Sequence, residues 1–450
     1  MSTVGIALSG GGKLGGARFD NQNSLSSRQG VHLCLPKSPS PRNQSGITGI
    51  VAGLSTFNSF VTRVYDASSK PNLIASTVSG GTIGFGIHAN AGSKLTYQLY
   101  DSGISYDVAN SEVKEDGKIW YANVVNYLNW APFLTGEASE RKTTMTGAMQ
   151  SGWWTDVIDL MFWEGYSIHD YDIAGSDLYN WHANFALLDK GVCPISRNDD
   201  GVMKKAEEGL VYASMDMSSG EKVAANNATL EIKHDTVLDV MSYSSSFWTA
   251  SIVEDKTQYF FLKGSISTGT LGGEDVYLND GGIVDTTGIV TLLQKKVPKI
   301  VAFYNNNDPL SSLSSVFAYL FGVEVETDTM NSLEGWELGQ VFDSGLYEEV
   351  LTNLTDPTIM RAHLTNLQVM DNTFLGVEGY AVEEIMILSN EYSDEFLDSF
   401  NNAEDLKGGL DEKWPNQFPV SIPTFDCNML AMKADWLVLK YEEELAALVG

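Results

Sequence analysis

Two stretches of the chain run from a β-rich segment straight into glycines, and both could carry chemistry. One is Asn72-Leu-Ile-Ala-Ser-Thr-Val-Ser79-Gly-Gly-Thr82. Its Thr77-x-Ser79-x-Gly81 spacing is that of a nucleophile elbow, with threonine in the first glycine position. An elbow puts its serine on a sharp turn between strand and helix, where bulky neighbours would clash. Thr77 is tolerable there but larger than glycine. A helix starting after Ser79 aims its first amides at the hydroxyl and favours developing negative charge. A plain tight turn is the alternative reading of Ser-Gly-Gly. The other stretch is Val4–Leu8 followed by Ser9-Gly10-Gly11-Gly12. Consecutive glycines let the backbone approach a ligand and expose several N–H groups, as an oxyanion hole needs. A flexible turn is again the alternative.

Asp280, in Leu278-Asn279-Asp280-Gly281-Gly282, is the third candidate. It follows a short strand pattern, and the glycines leave its carboxylate uncrowded. A buried aspartate beside a serine can take the hydroxyl proton directly, giving a Ser–Asp pair without histidine. Taken alone, Asp-Gly-Gly also fits an Asx turn.

Other readings fail on their own requirements. Gly10-x-Gly12-x-x-Gly15 matches the dinucleotide fingerprint formally, but that site needs an acid about 20 residues on. No Asp or Glu occurs between Asn21 and Tyr65. Gly5 and Gly10 have the spacing that opens a phosphate loop, but Gly11 and Gly12 stand where Lys and Ser/Thr are required. His88 follows Ser79 on the next predicted helix and points away from it. His234-x4-Asp239 has an acyltransferase spacing that an acid-rich chain meets by chance. Cys34, Cys193 and Cys427 form no CxxC pair, so neither a thiol metal site nor a disulfide framework is expected. No metal and no cofactor are expected.

Taken together, the order of these pieces resembles the patatin-like and cytosolic phospholipase/lysophospholipase superfamily, nearest the group with cytosolic phospholipases and fungal phospholipase B. Ile47-Thr-Gly-Ile-Val-Ala-Gly-Leu54, Asp280-Gly-Gly-Ile283, Lys299-Ile-Val-Ala-Phe-Tyr304 and Phe418-Pro-Val-Ser-Ile-Pro-Thr-Phe425 carry the likeness as islands along the chain. The resemblance implies a Ser–Asp acyl hydrolase. Ser79 would attack the ester carbonyl, and Asp280 would take and return the proton. Amides around Gly10, Gly11 and Gly12 would hold the oxyanion. The implied substrate is a phospholipid or lysophospholipid met at a membrane or micelle surface. The group usually carries an aromatic residue and a phosphate-holding arginine after the glycines. This chain has Lys13-Leu14, with Arg18 the nearest guanidinium and the candidate for that role. A neutral ester is therefore an alternative substrate. An acyltransferase using the same serine and a non-catalytic lipid-binding homologue are the alternative functions.

The elements that must position these residues can be read from the rest of the chain. The 450 residues hold 28 Lys plus Arg against 58 Asp plus Glu, a formal charge of −30. Such a chain is ill suited to neutralising phosphates, so no nucleic-acid partner is expected, and docking on anionic membrane is disfavoured. With 43% hydrophobic and 19% charged residues the composition is globular. No secretory pattern opens the sequence and no apolar run of spanning length occurs, which points to the cytoplasm, with peripheral membrane contact. The pattern predicts one α/β catalytic domain over 1–450: a three-layer α/β/α fold around a mostly parallel sheet. Residues 13–45 read as a flexible basic insertion, and 95–250 as a cap-like insertion. Ile47–Tyr65 has an amphipathic helical period, Thr286–Gln294 is predicted helical, and Asn428–Leu448 reads as one long helix.

Overall fold

A computed structural model describes residues 2–9, 46–91, 100, 105–107, 112–113, 179–189, 195–197, 203–205, 210–216, 222–224, 229–231, 240–241, 244–245, 262–268, 276–305, 316–323, 333–334, 339–410 and 424–450. Eight strands of its main sheet matter for the site: β1 (Thr3–Leu8), β2 (Asn72–Val78), β3 (His182–Asp189), β4 (Leu210–Asp216), β5 (Val276–Asp280), β6 (Lys299–Tyr304), β7 (Arg361–Val369) and β8 (Tyr380–Ser389). The centre is parallel, in the order β3-β2-β1-β6-β8. β7 closes one side antiparallel to β8, and β4 and β5 pair antiparallel with β3. The apolar runs Val4–Leu8, Ile300–Tyr304 and Ile385–Leu388 are buried throughout. Such uninterrupted runs belong to parallel strands covered on both faces.

Helices cover both faces, and adjacent residues of β6 show which element lies where. Phe303 meets Phe60 at the end of α1 (Gly46–Phe60), while Tyr304 meets Phe317 in the short helix Val316–Tyr319. Side chains at consecutive strand positions point to opposite faces, so these two helices lie on opposite sides of the sheet. Gly5 of β1 faces α3 (Ile289–Gln294). A Cβ there would sit 2.8 Å from Leu292 Cδ1, so the glycine is what lets that helix lie close to the strand.

Three sequence expectations need correction. The helical period read over Ile47–Tyr65 does form a helix, but its burial extends beyond one face: residues 49–61 are all buried. The segment lies under α2 (Gly80–Ala91) and α4 (Thr424–Lys440), and Ser55, Ser59 and Arg63 find partners on α4. Ser55 Oγ donates to the Ala431 carbonyl at 2.7 Å. Ser59 donates to the Asp435 carboxylate, and Arg63 grips the same group at 2.8 and 3.2 Å. The Tyr100 amide adds a fourth donor at 2.7 Å. The last turn, Val61–Tyr65, is π-helical. Second, two segments of the region 95–250 belong to the main sheet, and most of the rest of that region lies outside the described residues. His182–Asp189 and Leu210–Asp216 are strands of the main sheet, and β3 borders β2 directly. Third, the C-terminal helix is two helices, Thr424–Lys440 and Glu442–Val449, with Tyr441 between them. The insertion expected at 13–45 lies outside the described residues. The sheet itself agrees with the α/β expectation.

Candidate functional site

The site is made by two strands meeting end to end. β2 runs parallel to β3 and leaves it where Val78 stands opposite Asn184. β5 runs antiparallel along the same strand and ends where Asp280 stands opposite Phe185. The two C-termini therefore converge at adjacent positions of β3. Ser79 and Asp280 leave the sheet at that point, although 201 residues separate them in sequence. Ser79 Oγ donates to Asp280 Oδ2 at 2.7 Å. Both are buried.

Ser79 has φ +53°, a left-handed conformation that costs a serine about 1–3 kcal/mol. Local contacts hold it there. Its carbonyl accepts from the amides of Thr82 at 3.0 Å and Ile83 at 3.4 Å, in the first turn of α2. Its own amide donates to Ser244 Oγ at 3.0 Å, and Ser244 Oγ lies 2.7 Å from Thr82 Oγ1. Ser244 had no signal in the sequence; only tertiary packing brings it here. Gly81 sits against the end of β1, where a Cβ would stand 2.6 Å from the Leu8 carbonyl and 2.7 Å from that of Ser9.

Asp280 is held from its other oxygen. Oδ1 accepts from the Gly282 amide at 2.7 Å, so the Asx turn and the contact to Ser79 coexist on one carboxylate. Gly281 leaves room for β3: a Cβ there would lie 2.7 Å from the Asn184 carbonyl.

Beneath the pair, a buried polar network ties the segment after Asp280 to β2. Ser76 Oγ donates to the Gly288 carbonyl at 2.5 Å and accepts from Asn184 Nδ2 at 2.9 Å. Thr291 Oγ1 donates to Asn184 Oδ1 at 2.7 Å. Asp285 accepts from the amides of Thr287 and Val290 at 2.8 and 2.9 Å, and burial pushes its carboxyl up. Satisfied buried networks rigidify the elements they join. Thr77, larger than the elbow pattern prefers, accepts from the Trp181 indole N–H at 2.8 Å.

Other sequence candidates fall elsewhere. Gly10, Gly11, Gly12 and Arg18 lie outside the described residues, as do His234 and Asp239. The adjoining Ser9 is buried, and its Oγ accepts from the Asn305 amide at 2.6 Å. Among the described residues no cluster of His, Cys, Asp and Glu could hold a metal. His88 is packed among Phe57, Phe85 and Tyr179. His182 stands opposite Ser76 and approaches Asp216 at 3.9 Å. Burial lowers both imidazoles to about 4. Neutral in the fold, they take up protons in the unfolded chain below its pKa of 6.5. Their contribution to stability is thus complete above that pH and drains away as pH falls towards 4. A His88→Phe variant is expected to lose less urea resistance over that interval than wild type. Equal losses in the two proteins would show that His88 does not titrate this way.

Compared with known proteins, the sequence matches no protein-family model, and no curated protein matches it. Among solved structures, human GIVD cytosolic phospholipase A2 is similar over 100% of this chain, at 10% identity and a TM-score of 0.49. The chain spans about 60% of the length of that protein. No helix among the described residues is long and apolar enough to cross a membrane.

Proposed function

We propose that this protein is a carboxylic ester hydrolase acting on lipid esters through an acyl-enzyme on Ser79. The observation that carries the reading is the 2.7 Å hydrogen bond from a left-handed elbow serine to a buried aspartate. In the first half-reaction Ser79 Oγ attacks the ester carbonyl carbon while its proton passes to Asp280 Oδ2. The tetrahedral intermediate collapses, the C–O bond to the alcohol breaks, and Asp280 returns the proton to the departing oxygen. Water then attacks the acyl-serine with Asp280 again as base, releasing the fatty acid and restoring both groups. The amides of Gly10, Gly11 and Gly12 are assigned to the oxyanion, and Arg18 to a phosphate when the substrate carries one. A lipid as substrate is supported by the likeness of the sequence islands to lipid acyl hydrolases.

The decisive experiment is labelling by a fluorophosphonate, followed by hydrolysis of a panel of lysophospholipid, diacyl phospholipid, neutral glyceride and a short water-soluble ester. Labelling of wild type, with none in Ser79→Ala, supports the reading. Absence of labelling in folded wild type overturns it.

Two further results are expected from the same reading. Ser244→Ala leaves the buried Ser79 amide without its acceptor, a change worth about 1–3 kcal/mol. It should lower kcat about tenfold or more with KM little changed. A full kcat would remove Ser244 from the support of the elbow. The charge of −30 should make the enzyme sensitive to its interface. Activity on zwitterionic micelles is expected to fall when an anionic lipid is mixed in and to recover with added salt, because salt screens the repulsion. Stimulation by the anionic lipid would contradict this.

A further inference from the structure

Tyr179 and Asn180 are consecutive left-handed residues, with φ +52° and +41°. Asparagine adopts that conformation readily, whereas a bulky residue does so only under constraint. Such strain persists where the surroundings over-determine it, and it gathers where geometry serves function. Here the strained pair is stitched to the strand that delivers the proposed nucleophile. The Ala75 amide of β2 donates to the Tyr179 carbonyl at 3.1 Å, and Asn180 Nδ2 donates to Asn72 Oδ1 at 2.8 Å. The Tyr179 ring stands edge-on to Phe57 and Tyr65, which belong to α1 and its π-helical last turn.

The residue that follows this pair is Trp181, and its side chain is fully enclosed. Its indole N–H donates to Thr77 Oγ1 at 2.8 Å, on the strand that leads into Ser79. Its ring lies 4.8 Å from that of Phe85, on the helix that leads away from Ser79. β2 and α2 are the two arms of the elbow, and Trp181 touches both. A buried indole N–H requires an acceptor, and at position 77 a glycine could not supply one. The threonine that departs from the elbow pattern is therefore matched to this tryptophan.

We infer that Trp181 is a positioning residue: it clamps the two arms of the elbow, so that Ser79 keeps its left-handed backbone and its hydroxyl keeps its aim at Asp280. Its consequence for turnover rests on the ester-hydrolase reading. The strain at Tyr179 and Asn180 is what directs the indole between the arms.

The test is a double-mutant cycle in the full chain with Thr77→Val and Trp181→Phe. Valine keeps the shape of threonine and removes the acceptor; phenylalanine keeps a ring beside Phe85 and removes the donor. Each single variant is expected to slow fluorophosphonate labelling about tenfold or more, and to lower kcat for p-nitrophenyl butyrate in step, with KM within about twofold of wild type. The double variant should label no more slowly than the slower single, because both changes remove the same bond. Losses that multiply in the double variant overturn the clamp, as does labelling at the wild-type rate in both singles. If folded wild type does not react with the probe, the hydrolase reading falls by itself. The clamp is then decided by hydrogen exchange over residues 80–91, where the amides of Thr82 and Ile83 hold the Ser79 carbonyl. The same measurement decides it if Trp181→Phe does not fold. Faster exchange there in Thr77→Val, with residues 380–389 exchanging as in wild type, supports the clamp. Equal exchange in the two proteins, or a rise shared by both segments, overturns it.

Discussion

Asp280→Asn is expected to lower kcat about 10²–10⁴-fold, the usual contribution of a positioned general base, while the protein melts where wild type does. The substitution is nearly isosteric. Its carbonyl oxygen can keep the bond from the Gly282 amide, and its NH₂ then faces Ser79 Oγ. That group can donate a hydrogen bond to the serine but cannot take its proton. Ser79→Ala should remove turnover and fluorophosphonate labelling together. Ser79→Gly should do the same and also raise the melting temperature, because glycine adopts φ near +53° without the strain a serine bears. The pair of serine variants separates the chemical role of the hydroxyl from the conformational cost of holding it. Turnover in Asp280→Asn within tenfold of wild type would take Asp280 out of the mechanism. No described histidine stands ready to replace it: His88 lies among aromatic rings, His182 is directed at Asp216, and His363 stands beside Glu384.

The parts of this arrangement that the sequence discloses are those set by local rules. Val4–Leu8, Asn72–Val78 and Lys299–Tyr304 announce buried strands by β-rich apolar runs, and glycines mark the two turns at Ser79 and Asp280. What local rules could not disclose is which elements meet. β3 lies in a stretch with mixed polar and aromatic signals. Its His182 and Asn184 break the apolar run, and Asn184 is polar because it serves the network between Ser76 and Thr291. The strand that brings Ser79 and Asp280 together was therefore the one assigned to an insertion. Gly46–Phe60 was legible as a helix but not as a central one. Ser55 and Ser59 look like part of a solvent face until Ala431 and Asp435 supply their partners from the other end of the chain. Ser244 had no signal, since a serine accepting one backbone amide leaves no pattern.

Gly81→Ala should have the second large effect, and the reason lies in packing. The left-handed residue of the elbow is Ser79 itself, whereas Gly81 is in the first turn of α2. Glycine is needed at 81 for space. An added Cβ would lie 2.6 and 2.7 Å from the carbonyl oxygens of Leu8 and Ser9, and these are backbone atoms held in the sheet. Ser9 N donates to the Phe303 carbonyl at 3.1 Å, so the end of β1 cannot yield without loosening β6. Overpacking of this kind costs about 1–3 kcal/mol. The strain falls on the first turn of α2, which sets the Ser79 carbonyl, and on the end of β1, which leads into the glycine loop. Fluorophosphonate labelling is expected to slow by about 10² or more, since a small misplacement of reacting groups has that effect. Gly53→Ala is the matched control: its Cβ would meet only Gly81 Cα, at 3.4 Å. If Gly81→Ala labels at the wild-type rate and melts at the wild-type temperature, the close approach of α2 to β1 is not what holds the serine in place.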